Sequence, residues 1–298
     1  MRKPEGDKPL VSILQDWYSR AMKTVAAIHD LSCYAKSSLT VVVPALSAMG
    51  IEVSVLPTAL LSTQTDGFQN YYYQDLSDAM EAIVTHWQAL GLRFDGIYSG
   101  FLGSPRQIDI VSGFIHGQRE LGSPLVFVDP VLGDGGRPYG PVTQDLIDRM
   151  VELVRHAQVI TPNVTEAALL LGEPYRPDLT PGEAVDWAQR LSALGPAQVA
   201  ITSVIREGGG VVVCYDRQLD SNTTAYQPYA PVSYPGSGDL FASILCAFLM
   251  KGRGFLDSAV ESARLVSQAV FASWKAGVEP RHGVAVEMMV KQLMAACP

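Results

Sequence analysis

At 298 residues, 48% of them hydrophobic and only 17% charged, the chain carries enough apolar side chains for a substantial core. Its formal net charge of −8 supplies no basic field to drive counterion release, which excludes nucleic acid as a partner. Four scattered cysteines without C-x-x-C spacing read as thiols of a reducing, cytoplasmic compartment, and no run of 18 or more apolar residues offers a membrane span.

Residues 1–21 are polar, mixed in charge and lack the apolar stretch of a signal peptide; they read as a loosely ordered extension ahead of a start at Met22. From there to residue 298, short β-rich runs alternate with longer amphipathic ones, and no linker divides the chain, so one domain is expected. Strands are predicted at 24–29, 52–57, 96–99, 125–129, 159–161 and 199–202. Leu39, Val43, Leu46 and Met49 share a helical face that Gly50 closes; Leu76, Met80, Ile83, Trp87 and Leu90 share another, closed by Gly91. Asn163, followed three residues later by Glu166 and then by an apolar run up to Gly172, is a capped helix start. The stretch 133–140 is too glycine-rich for regular structure and reads as a surface loop. Runs at 211–215 and 224–227 read as an antiparallel addition to the sheet edge, after which helices take over.

The alternation predicts an α/β fold with a mostly parallel, doubly wound sheet. Ligands bind such sheets outside the carboxyl ends of the strands, which brings Asp30, Ser99, Asp129, Thr161 and Thr202 to one edge. Neither G-x-x-x-x-G-K-[ST] nor a strand-to-helix G-x-G-x-x-G is present, so a phosphate site must be built differently. The best candidate is Pro235-Gly236-Ser237-Gly238-Asp239, a glycine turn opening an almost wholly apolar helix. Its unsatisfied backbone amides would receive an anion. Asp239, by itself an ordinary first-turn carboxylate, stands beside that anion hole, as a reaction requires in which a hydroxyl loses its proton while charge grows on phosphate.

Six motifs in order carry a family resemblance: Ala27-Ile28-His29-Asp30, Leu60-Leu61-Ser62-Thr63-Gln64-Thr65, Ser99-Gly100-Phe101-Leu102-Gly103-Ser104, Val128-Asp129-Pro130-Val131-Leu132-Gly133-Asp134, Ile160-Thr161-Pro162-Asn163-Val164-Thr165-Glu166-Ala167 and Gly236-Ser237-Gly238-Asp239. From about Lys23 onward the chain resembles the pyridoxal kinase branch of the ribokinase-like kinases, which also includes hydroxymethylpyrimidine kinases. The resemblance implies a three-layer α/β/α sandwich and ATP-dependent phosphorylation of a hydroxymethyl group, with vitamin B6 the leading substrate. It makes Asp239 the base and Gly236, Ser237 and Gly238 the anion hole. Asp129 and Glu166 would organise Mg²⁺ and the ATP phosphates, directly or through water; Thr161, Asn163, Thr202 and Ser203 would line the nucleotide side. Asp30, Thr65 and Phe101 match positions facing the B6 ring, and 133–140 resembles a lid over ATP, with Arg137 and Tyr139 reaching phosphate and adenosine. Relatives imply a homodimer and admit a monovalent cation such as K⁺.

Two features depart from the pattern: Asp30, where many pyridoxal kinases carry serine, and Ser237, where threonine is common. The first leaves hydroxymethylpyrimidine open as the substrate. A protein that binds B6 or nucleotide without turnover is the remaining alternative, against which the intact Asp239 turn weighs. Tyr71, Tyr72 and Tyr73 fit a subunit contact, a substrate-side loop or a plain edge strand.

Overall fold

A computed structural model describes residues 22–297 apart from positions 141, 207, 208, 229 and 231; the expected extension at 1–21 and the start at Met22 bear on residues outside the described ones. In chain order the elements are β1 (Lys23–Ser32), α1 (Leu39–Ala48), β2 (Ile51–Leu61), β3 (Tyr73–Asp75), α2 (Ser77–Ala89), β4 (Gly96–Ser99), α3 (Pro105–Leu121) and β5 (Leu125–Val128). They continue with β6 (Gly133–Asp134), β7 (Arg137–Pro138), α4 (Gln144–Val154), β8 (Val159–Ile160), α5 (Val164–Leu171), α6 (Pro181–Leu194) and β9 (Gln198–Arg206). The last are β10 (Gly209–Asp216), β11 (Ser221–Pro228), α7 (Ser237–Met250), α8 (Phe255–Lys275) and α9 (Val290–Ala296), with short 3₁₀ turns at Pro280–His282 and Val286–Met288.

Nine strands form one sheet in the order β11-β10-β9-β8-β5-β4-β1-β2-β3. The six from β9 to β2 run parallel, β10 and β11 add the antiparallel edge expected from 211–215 and 224–227, and β3 pairs antiparallel with β2 at the opposite edge. The three-residue edge strand β3 begins at Tyr73, for which an edge strand is one of the three sequence readings, left open because three exposed residues carry no period-2 pattern. Two apolar cores sandwich the sheet. One holds Ile28, Ile97 and Val128 against α2–α6, through side chains such as Met80, Phe114, Met150 and Trp187. The other holds Ala27, Tyr98 and Phe127 against α1, α7, α8 and α9, through Leu46, Phe248, Phe255 and Leu293. The alternation of neighbouring strand residues between these two cores is the period-2 consequence of the pleat.

The strands β1 and β2 run further than expected, past the interruption near Asp30 and through Pro57 to Leu61. The β1–β2 register shifts between His29 and Leu31, a bulge that lets the pairing resume at Leu31 beyond the apolar run. The glycine-rich stretch after Asp129 is a correction: it folds into the hairpin β6–β7 rather than an irregular loop. Gly135 and Gly136 take φ of 56° and 79°, the pair of left-handed conformations that a two-residue hairpin of primed type demands. Glycine abundance there specifies a turn.

His29 ends the apolar part of β1 fully buried, edge-on to Tyr98 with ring centroids 4.4 Å apart. It fits because its neighbour across β4 is Gly100: a Cβ there would lie 2.2 Å from His29 Nδ1. Burial lowers the imidazole to about 3, so the ring is neutral.

Candidate active site

The carboxyl ends of β1, β4, β5 and β8 and the start of α7 converge, and most of the expected site residues stand there. Gly236 is the N-cap of α7 at φ 79° and Asp239 lies in its first turn. The Ser237 amide bonds the Tyr234 carbonyl and Leu240 bonds Gly236, but the Gly238 and Asp239 amides find no acceptor among the described residues. They form the open end of a helix whose ten buried residues, from Leu240 to Met250, hold it rigidly against the sheet. An anion placed at this turn meets free N–H groups and the positive end of the helix dipole.

Asp239 Oδ2 accepts the Ser38 backbone amide at 2.9 Å, and no bond to Oδ1 exists among the described residues. Burial, and after it the charge of Asp30, push this carboxyl up to about 6 against the relief given by the Ser38 amide. Asp30 is itself held by two hydroxyls, Ser38 Oγ on Oδ1 and Ser32 Oγ on Oδ2 at 3.3 Å. Its own carboxyl is raised, chiefly by burial.

Asp129, at the end of β5, accepts Thr161 Oγ1 at 2.8 Å. Burial first and then Asp239 raise it to about 7. Glu166 closes the expected capping box of α5: its Oε2 accepts the Asn163 amide at 2.8 Å while Asn163 Oδ1 accepts the Glu166 amide at 3.0 Å. Glu166 Oε1 also takes the Leu132 amide at 3.2 Å, and burial followed by the Asp129 charge raises its carboxyl well above the ordinary range. The β6–β7 hairpin is fastened to the same helix start by Asn163 Nδ2 on the Gly133 carbonyl at 2.8 Å and by the Gly136 amide on Thr165 Oγ1 at 2.9 Å. Tyr139 follows the hairpin; burial of its phenol and then the charges of Glu166, Asp134, Asp239 and Asp129 push its proton affinity up.

The remaining expectations fall at the margins. Thr202 bridges to Asn163 across the ends of β8 and β9, and Ser203 follows it at φ 62°, exposed, where the β9–β10 pairing shifts register. Phe101 is half-buried just past β4, its carbonyl accepting Thr58 Oγ1. Thr65 is exposed in the connection between β2 and β3 and has no hydrogen bond among the described residues. Sequence reasoning missed three residues, Ser32, Ser38 and Thr165, and left Tyr73 among alternatives. Tyr73 reaches over the site from the edge strand: a Cβ on Gly103 would lie 2.3 Å from its hydroxyl, and burial, Asp75 and Asp30 raise its phenol. The serine pair before the apolar run from Leu39 is a helix-start signal that marks Ser38, yet its hydroxyl serves Asp30 instead of capping α1.

Four buried or half-buried carboxyls thus gather with no cationic side chain among the described residues offsetting their charge, and the charge of one raises the next. Asp129 and Glu166 offer hard oxygen donors whose raised proton affinity a divalent cation would relieve, so they fit Mg²⁺. Among the described residues no group of three or more candidate ligand side chains is assembled.

Residues 43–284 match the model of the phosphomethylpyrimidine kinase family. A pyridoxine/pyridoxal/pyridoxamine kinase of Bordetella avium is 32% identical over 83% of this chain and 84% of its own. A structure from Bacteroides thetaiotaomicron, described as a phosphomethylpyrimidine kinase and crystallised with pyridoxal, superposes with a TM-score of 0.87 at 40% identity, covering 91% of this chain and 95% of that one. The pyridoxal kinase of Lactobacillus plantarum superposes with a TM-score of 0.84 at 31% identity, covering 92% of this chain and 97% of the other.

Proposed function

The chain belongs to the phosphomethylpyrimidine kinase family, within the ribokinase-like kinases, and on that premise we propose that it transfers the γ-phosphoryl group of ATP to the 5′-hydroxymethyl oxygen of vitamin B6. The observation that carries the reading is the juxtaposition of Asp239 Oδ1, free of any bond among the described residues, with the unpaired amides that open α7. A base and an anion hole on one helical turn serve both halves of the transfer.

Asp239 Oδ1 takes the proton of the substrate hydroxymethyl group as its oxygen bonds to the γ-phosphorus. The bond from that phosphorus to the bridging oxygen breaks, and ADP leaves with the electron pair. The Gly238 and Asp239 amides, with Gly236 and Ser237 shaping the turn, receive the charge that grows on the phosphoryl oxygens. Asp129 and Glu166 would hold Mg²⁺, whose contribution when bound with ATP is neutralisation of phosphate charge. Thr161, Asn163, Thr202 and Ser203 line the nucleotide side, and the β6–β7 hairpin with Arg137 and Tyr139 covers it and keeps water from the phosphoryl group. Asp30, Phe101 and Thr65 face the substrate ring.

We read residues 22–298 as one catalytic domain of a cytoplasmic homodimer, with K⁺ an admissible activator; no helix among the described residues is long and apolar enough to cross a membrane. An aminopyrimidine is the second reading, favoured by Asp30, which would accept from an exocyclic amine as well as from a protonated pyridine nitrogen. Phosphorus NMR of the product formed from Mg-ATP and pyridoxal tests the proposal: a phosphomonoester on the 5′ oxygen supports it, and ATP consumption without that signal contradicts it.

A further inference from the structure

The connection between β1 and α1 contains a residue in a conformation that its side chain disfavours. Ser38 has φ 50° and ψ −128°, a region in which a Cβ is strained and glycine is the natural occupant. A serine there is costly unless its hydroxyl is used. The hydroxyl does not cap α1; it donates to buried Asp30 Oδ1, while the amide of the same residue donates to Asp239 Oδ2 at 2.9 Å. The left-handed φ lets both donors of one residue converge on two carboxylates whose sequence positions are 209 apart, and no other described residue bonds both.

We propose that Ser38 is a positioning residue that fixes Asp30 against Asp239, so that the ring of the substrate and its reacting hydroxymethyl oxygen are set from one backbone unit. The inference rests on the kinase reading above and names what sets its substrate geometry. Glycine at this position would keep the amide on Asp239 and relax the backbone, but would leave Asp30 held by Ser32 alone.

Ser38→Gly, Asp30→Ala and the double variant test this as a cycle, with Ser38→Ala as a second route that keeps a Cβ in place. Pyridoxal KM, ATP KM, turnover and thermal midpoint are measured for each. Loss of one hydrogen bond to a charged group corresponds to about tenfold, so Ser38→Gly should raise pyridoxal KM about tenfold with ATP KM within about twofold and a midpoint that does not fall. In the Asp30→Ala background the same change should have less than about a twofold effect. Equal losses in both backgrounds, or losses that follow the midpoint and ATP KM, overturn the role of Ser38 while wild-type turnover of a B6 vitamer leaves the kinase reading intact. Absence of wild-type turnover overturns both.

Discussion

The Ser38 amide and the Asp239 carboxylate meet at 2.9 Å, and through that one bond the β1–α1 connection commits one oxygen of Asp239 and leaves the other to serve as the proposed base. Oδ2 accepts the amide, and Oδ1 has no hydrogen bond among the described residues. The bond also moderates the rise in proton affinity that burial imposes on Asp239.

Asp239→Asn keeps the size of the side chain and an oxygen for the Ser38 amide but removes the basic group. Turnover should fall by roughly two to four orders of magnitude, with ATP affinity nearly unchanged in a direct binding titration. Near-normal turnover would remove Asp239 from the chemistry.

The pH dependence follows from the same group. Asp239 accepts a proton only when ionised, and its carboxyl sits at about 6, so turnover should decline as pH falls through that value and level off above it. A profile of turnover between pH 5 and 8 is the check, and a flat one contradicts the assignment.

Stability should move the opposite way. Asp129 near 7 and Asp239 near 6 bind protons in the folded state that an unfolded carboxyl of 3.8 does not, so each stabilises the fold as pH falls from about 7 toward 4 and loses that contribution as pH rises through its folded value. Buried His29, held at about 3, opposes them because the unfolded chain charges it below 6.5. The difference between wild type and Asp129→Asn isolates the effect: the gain in thermal midpoint from pH 8 to pH 5 should be smaller in the variant.

Much of this site is legible in the sequence, for identifiable reasons. Asp129, Thr161 and Thr202 are found because parallel strands announce their carboxyl ends; the Asn163–Glu166 pair declares its own capping box, and the glycines of 236–238 mark an exposed helix start. Ser38 is not found because its partners, Asp30 and Asp239, meet only after the chain folds. The β6–β7 hairpin is hidden because glycine density reads alike for a loop and for a primed turn, and β3 is left open because three exposed residues show no period.

Gly100→Ala tests the packing under the site. The new Cβ would stand 2.2 Å from His29 Nδ1 and 2.5 Å from Cε1, and the fully buried ring has no free path out, so the fold should lose roughly 1–3 kcal/mol by denaturant titration. Unchanged stability would mean that the His29 ring is not confined.

Gly236→Ala addresses the anion hole. At φ 79° the added Cβ is strained and would meet Val41 Cγ2 at 2.9 Å and the Lys36 carbonyl at 3.0 Å, so the turn must shift. Turnover should drop by about tenfold or more, the scale of losing aligned anion-hole donors, while the core helix α7 retains its far-UV signal. Loss of fold without a separate loss of turnover would assign Gly236 to structure alone.

The most direct measurement is ADP release with Mg-ATP against pyridoxal, pyridoxamine, pyridoxine and hydroxymethylpyrimidine in parallel, each product confirmed by mass. The account predicts turnover of a B6 vitamer at a kcat/KM above that of the pyrimidine. Preference for the pyrimidine would contradict it and make Asp30 the residue that recognises an aminopyrimidine, and inactivity on all four with ATP still bound would remove the B6 assignment altogether.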